Sequence, residues 1–154
     1  MTCLVIEALS SVHGGGVTYI NELLRHYKKK NNERVIVIVS DDVASTLNGV
    51  SDIDVVSVSG FYKSLFGRVI WLAIVFPKVL RRVKAEVVYC PSGILSIRRS
   101  SPIRTVVACQ NMLPLVDSER ARYPLGYMRT RLWLLKELHL RSYSRADKVI
   151  FISE

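Results

Sequence analysis

The chain has 154 residues, of which 49% are hydrophobic and 23% are charged, the balance of an ordinary soluble globular domain with its own core. This composition excludes a mostly disordered chain. Twenty-two Lys and Arg against thirteen Asp and Glu give a net charge of +9, which favours polyanionic partners such as nucleic acid, anionic lipid or a phosphorylated substrate.

The cysteines and histidines predict no metal site. Cys3, Cys90 and Cys109 lie far apart and form no C-x-x-C pair, and the three histidines complete no ligand spacing. We therefore expect buried thiols in a reducing cytoplasm. The most apolar stretch, 69–80, is too short to cross a bilayer, and the N-terminus lacks the features of a signal peptide.

Apolar runs alternate with helical patterns along the chain, which is typical of β-α-β units in a parallel sheet. The predicted strands are 3–9, 34–40, 54–58, 86–90, 104–109 and 148–152. The predicted helices are 18–30, 63–84, which is interrupted or kinked at Pro77, and 125–144. The sequence therefore predicts an α/β fold, a Rossmann-like doubly wound and mainly parallel sheet of about six strands. Because a parallel strand needs a covering helix, we expect further protein after Glu154.

The strongest local motif is a glycine loop, Gly14-Gly15-Gly16, between the first strand and the first helix. Glycines let backbone N–H groups approach a ligand, and the helix that follows presents the positive end of its dipole. In doubly wound sheets, ligands bind at the carboxyl ends of the strands, where this loop must lie. The motif favours an anion-binding loop, with a flexible turn as the alternative.

Other glycine motifs fit this loop less well. The dinucleotide fingerprint G-x-G-x-x-G fails at Tyr19, although Asp41 or Asp42 stands at a suitable distance for a ribose contact. A dinucleotide-binding oxidoreductase or epimerase domain therefore stays open. A P-loop is excluded because no Gly-Lys-Ser/Thr follows, and an esterase is excluded because no G-x-S-x-G elbow exists. A basic nucleic-acid-binding module is a further alternative, but aromatic residues do not interleave with the basic ones.

Two further segments carry candidate roles. Gln110 or Asn111, after a predicted strand, can bind sugar hydroxyls, or Asn111 can cap a turn before Pro114. The helix 125–144 is expected to turn four residues towards the core, Met128, Leu132, Leu135 and His139. Trp133 and Leu140 fall on the opposite side among basic residues, which suits a membrane surface or a partner domain as well as scattered surface positions.

Three segments, in this order, resemble the N-terminal domain of retaining glycosyltransferases of family four, which have the GT-B fold. They are 14–17, 110–114 and 144–154, and the resemblance spans nearly the whole chain. It implies that residues 1–154 form the acceptor-side, Rossmann-like half of the enzyme. The C-terminal half that supplies the nucleotide pocket is absent from this sequence, so we expect the fragment alone to be inactive.

The resemblance also implies a function. It is transfer of a hexosyl group, with retention, from a nucleotide-sugar donor to a glycan or lipid-linked acceptor, without a metal or cofactor. The implied substrate-binding residues are Gly14, Gly15, Gly16, Asn111 and Glu154, and no catalytic residue is assigned. We expect a cytoplasmic protein that lies peripherally on the inner face of an anionic membrane and has no nucleic-acid partner.

Overall fold

Six strands form one sheet in which every neighbouring pair is parallel. The computed structural model describes residues 2–11, 14–28, 30–47, 52–60, 65–97 and 102–152. The strands are β1 (Thr2–Glu7), β2 (Glu33–Ser40), β3 (Asp54–Val58), β4 (Val87–Cys90), β5 (Arg104–Cys109) and β6 (Lys148–Phe151). Their order across the sheet is β3-β2-β1-β4-β5-β6. The predicted Rossmann-like α/β fold is confirmed, and the strand order reverses between β1 and β4.

The helices of the described residues connect these strands. They are α1 (Gly15–His26), α2 (Asp41–Ala44) with a 3-10 turn (Ser45–Leu47), α3 (Leu65–Ile70), a π-helical segment (Trp71–Val75), α4 (Phe76–Arg82), α5 (Asp117–Ala121) and α6 (Tyr127–Tyr143). None of them is long and apolar enough to cross a membrane. The short helices α2 and α5 were not predicted.

The helix predicted over 63–84 is irregular, and the irregularity lies about one turn before Pro77, the position at which it was expected. The π-helical segment precedes Pro77, and the Phe76 N–H donates to the Trp71 carbonyl oxygen, five residues back. Pro77 lies in the first turn of α4, where the N–H group that proline lacks would have no partner within that helix. Because the ring of a proline crowds the carbonyl group four residues earlier, the preceding turn widens.

Two apolar clusters cover the two faces of the sheet, and alternate residues of β1 belong to different clusters. Val5 packs with Phe76 of α4, whereas Ile6 packs with Ile20 of α1. By this alternation Glu7, the last residue of β1, faces the same side as Val5. The central strands are therefore buried on both faces, as their continuous Val and Ile runs predict.

The helix α6 buries fewer residues than the sequence predicts. Leu132 and His139 are buried, and Trp133 and Leu140 are exposed, as expected. The prediction for Met128 is wrong, because its side chain is 42% exposed. It lies in the first turn of a helix that begins at Tyr127, before the helix reaches the core.

Candidate functional site

The glycine loop lies at the carboxyl rim of the sheet, where the sequence places it. Gly14 precedes α1 and has φ 59° and ψ −135°, a conformation that residues with a Cβ rarely adopt. A Cβ at Gly16 would lie 3.3 Å from the Cα of Ser11, so this glycine allows the first turn of α1 to approach the loop. Gly15 is different, since it is helical and exposed, and a Cβ there would meet no atom of the described residues within 4 Å.

The first turn of α1 leaves backbone N–H groups without an acceptor in the helix. The Val17 and Thr18 N–H groups both donate to the Gly14 carbonyl oxygen, at 3.1 and 3.3 Å. The N–H groups of the first helical residues, Gly15 and Gly16, have no acceptor within a helix. Among the described residues, no side chain caps this end of α1. These amides, together with the helix dipole, form a site suited to a phosphate or carboxylate.

Helix α1 is held beside the strand-order reversal. The Tyr19 hydroxyl in α1 and the Tyr89 hydroxyl in β4 form a hydrogen bond of 2.5 Å. Burial and this hydrogen bond raise the pKa of Tyr89 far above its ordinary value, so its hydroxyl stays protonated. The pair therefore connects the helix that follows the glycine loop to the strand on the other side of β1.

A buried carboxyl group lies at the end of β1. Glu7 is 1% exposed, and its Oε1 accepts a hydrogen bond of 2.9 Å from the Leu9 N–H. Burial raises the pKa of Glu7 from 4.5 to about 7, against the opposing effects of the Leu9 N–H, Arg68 and Ser92. Among the described residues, Oε2 has no hydrogen bond of ordinary geometry, although the Ser92 hydroxyl is near enough to affect the pKa.

The turn after β4 separates Glu7 from α6. Gly93 has φ 81°, and a Cβ there would lie 3.2 Å from both His139 Nε2 and Tyr143 Oη. Burial lowers the pKa of His139, and a hydrogen bond with the Ser92 backbone partly opposes this effect. The Leu95 N–H donates to the Ser142 Oγ at 2.9 Å. The turn is thus packed tightly against α6.

Asn111 adopts the turn-capping geometry that the sequence left as an alternative. Its Oδ1 accepts a hydrogen bond of 2.9 Å from the Leu113 N–H, which is an Asx turn. The side chain is exposed at the carboxyl end of β5. Since β4 lies between β1 and β5, Asn111 and the glycine loop follow strands about 10 Å apart. Its Nδ2 donors take no part in the turn.

The predicted site is only partly assembled by the described residues. The glycine loop and Asn111 share the carboxyl rim, whereas Glu154 lies outside the described residues. Asp41 and Asp42, the alternative ribose contacts, are exposed at the start of α2. Within the described ranges, no group of three or more His, Cys, Asp or Glu could hold a metal ion. Sequence reasoning missed Glu7 and Ser92; the one available signal was a charged residue at the end of an apolar run.

The parallel sheet and its reversal between β1 and β4 define a Rossmann-like domain whose glycine loop lies at the carboxyl rim. Residues 13–154 match Glycosyltransferase Family 4, and the chain belongs to that family. It is an N-terminal domain of a glycosyltransferase of the GT-B type, as the resemblance implied. No curated protein and no solved structure matches the chain.

Proposed function

We propose that this domain serves a hexosyltransferase that uses a nucleotide-sugar donor and a glycan or lipid-linked acceptor. The observation that carries the proposal is the open N-terminus of α1 at the strand-order reversal, reached through Gly14, Gly15 and Gly16. Its N–H groups would bind the diphosphate of the donor and stabilise the charge that develops on it as the sugar leaves. Retention of anomeric configuration without a metal ion is what the resemblance to the family implies.

Gly15 supports this assignment most directly. The backbone conformation explains Gly14, and the approach to Ser11 explains Gly16, but the described residues place no steric demand on position 15. A glycine there leaves free space above the first turn of α1, which an approaching phosphate or sugar would use.

We propose that Asn111 contributes through its amide nitrogen. The Oδ1 is engaged by Leu113, so the Nδ2 group is the part of the side chain suited to a sugar hydroxyl. The proposed acceptor and donor would then meet at the rim between the glycine loop and the end of β5. Glu154 stays a proposed residue of the same cleft.

We also propose two partners beyond the substrates. One is a second, nucleotide-binding domain across the cleft, which would complete the enzyme. The other is the inner, anionic face of a membrane, which would bring a cytoplasmic enzyme to a lipid-linked acceptor. Trp133 and Leu140 are 56% and 45% exposed on α6, where Arg129 and Arg141 are exposed as well, a combination that suits lipid headgroups.

The main test uses Gly15→Leu in the full-length protein, with Gly126→Leu as the matched control. Gly126 is the residue before α6, whereas Gly15 is the first residue of α1, and a Cβ at either would meet no described atom within 4 Å. We expect Gly15→Leu to raise the KM for the active donor in a panel of UDP- and GDP-sugars about tenfold or more, at an unchanged unfolding midpoint. An unchanged KM in Gly15→Leu would remove the glycine loop from the donor site.

A second test separates the two roles of Asn111. Asn111→Asp keeps an oxygen for the Leu113 N–H but replaces the amide donor. We expect this variant to retain its stability and to lose transfer activity by about tenfold, which is a typical effect of one lost hydrogen bond to substrate. Normal transfer by Asn111→Asp would leave Asn111 with the turn alone.

One observation favours a second candidate function. Asp41 and Asp42 follow β2, next to the strand that leads into the glycine loop, where a dinucleotide-binding domain places its ribose contact. Thermal shift measurements with NAD and with UDP- and GDP-sugars distinguish the two functions. Stabilisation by NAD alone would favour the oxidoreductase or epimerase.

A further inference from the structure

Glu7 is a buried carboxyl group that the proposed function does not use. It is 1% exposed, on the face of the sheet that the apolar cluster of Val5 and Phe76 covers, and an ionised carboxylate in such surroundings is destabilising unless it is compensated. One oxygen is engaged by the Leu9 N–H, and the other has no partner of ordinary geometry among the described residues. A group of this kind at the strand-order reversal calls for an explanation.

Short contacts connect Glu7 to the glycine loop. Its Oε1 is 2.9 Å from the Leu9 nitrogen. The Ser11 N–H then donates to the Ala8 carbonyl oxygen at 3.0 Å, which closes the turn after β1. The Cα of Ser11 is the atom against which Gly16 packs, at the start of α1. These contacts place the carboxyl group roughly 10 Å from the amides proposed to bind the donor phosphate, since each step between neighbouring residues spans about 3 to 4 Å.

The charged and titratable groups around Glu7 determine how protonation of its carboxyl group changes the local charge. Arg68 of α3 is the charged neighbour that acts on the carboxyl group, and its Nε is buried without a hydrogen bond among the described residues. Cys90 of β4 stays a neutral thiol, because burial and Glu7 raise its pKa well above its ordinary value. His139 of α6, beyond Ser92, is held towards its neutral form by burial, which lowers its pKa. Glu7 and Arg68 are thus the pair whose net charge can change near neutral pH.

We propose that binding of an anion at the glycine loop is coupled to the uptake of one proton by Glu7. With Glu7 ionised, its charge compensates Arg68 and repels an anion at the loop. With Glu7 protonated, the charge of Arg68 is uncompensated and attracts the anion. By linkage, the bound anion favours the protonated carboxyl group to the same extent. The proposal deepens the proposed function and rests on the glycine loop being the anion site.

The size of the coupling follows from Coulomb's law. A dianion roughly 10 Å from a unit charge, in surroundings of intermediate dielectric constant, changes in affinity by about tenfold when that charge is removed. Burial raises the pKa of Glu7 to about 7, so the change falls in the pH range where most enzymes are assayed. The geometry alone gives the sign of the coupling. Proton uptake by Glu7 always adds positive charge beside the loop and so always favours the bound anion.

The experiment follows the backbone amides of Gly14, Gly15 and Gly16 by NMR in the 154-residue chain while sulfate is added. Sulfate is a suitable probe because its own charge does not change between about pH 6 and about pH 8.5. All samples carry His13→Gln, which removes the one histidine that directly precedes Gly14 in the sequence. The comparison is between this protein and the same protein with Glu7→Gln, a neutral side chain of the same shape.

We expect sulfate to bind the reference protein about tenfold more tightly at the low end of this pH range than at the high end. Glu7→Gln should bind with the low-pH affinity throughout. A pH dependence that survives in Glu7→Gln, or weaker binding by that variant at low pH, would overturn the coupling while leaving the glycine loop as an anion site. Amides that do not respond to sulfate at any pH would overturn both proposals.

A second measurement needs no substitution at Glu7. Calorimetric titration of sulfate near pH 7, in two buffers with different enthalpies of ionisation, reports the protons taken up on binding. We expect a fractional uptake of about half a proton at a pH equal to the pKa of the free carboxyl group. Zero uptake, with sulfate bound, would refute the coupling even if Glu7→Gln failed to fold.

Discussion

Replacing Glu7 by Gln should stabilise the protein above neutral pH, and the magnitude can be worked out from the pKa. Burial raises the pKa of Glu7 from 4.5 to about 7, and each unit corresponds to about 1.4 kcal/mol. The folded protein therefore binds more protons than the unfolded chain between these two values, and its stability falls as the pH rises through this window. The loss is complete above the folded pKa and amounts to about 3 kcal/mol.

Gln has no proton to lose, so the variant does not undergo this loss. We expect the free energy of unfolding of Glu7→Gln, relative to that of the unmodified protein, to rise by roughly 2 to 3 kcal/mol between about pH 5 and about pH 8. Urea denaturation at a series of pH values, followed by the fluorescence of the buried Trp71, measures the difference. Parallel stability curves for the two proteins over this range would refute the reasoning, because they would mean that Glu7 titrates alike in the folded and unfolded states.

Three further predictions concern stability alone. Gly14→Ala should lower the free energy of unfolding by about 1–3 kcal/mol in urea denaturation because of its positive φ, whereas Gly15→Ala should be neutral or stabilising. Gly93→Ala should lower the melting temperature more than Gly60→Ala, since both have positive φ but only Gly93 is packed against side chains; equal losses would contradict the packing argument. Asp147→Asn should destabilise the protein at neutral pH and have little effect in acid, because hydrogen bonds from Thr105 lower the pKa of Asp147 and the stability they give is lost as the pH falls.

The strands were predictable because each is a short Val- and Ile-rich run, and β3 and β5 have the predicted bounds. The π-helical segment was not, since the sequence shows Pro77 but not how far the widened turn extends before it. The short helices α2 and α5 lack the length for a helical periodicity to appear.

The burial of Glu7 could not be read from the sequence, because a charged residue after an apolar run is usually the first residue of the loop. Only the pairing of β1 shows that Glu7 still belongs to the strand. Ile6 pairs with Tyr89 of β4, and the strand continues between two covered faces. Glu7 itself pairs with Ile38 of β2, so it is the last residue of the strand and not the first residue of the loop.

The three glycines of the loop are alike in the sequence, and only the structure separates them. Gly14 is favoured by its positive φ, and Gly16 is favoured by the close approach of Ser11, so an unliganded fold accounts for both. Gly15 is helical and exposed, in a position where most residues would favour the helix more than glycine does. This glycine relieves no contact with the described residues, which favours an explanation outside the chain. At the N-terminus of α1, a bound anion is the explanation that we favour. The donor-site proposal therefore depends on Gly15.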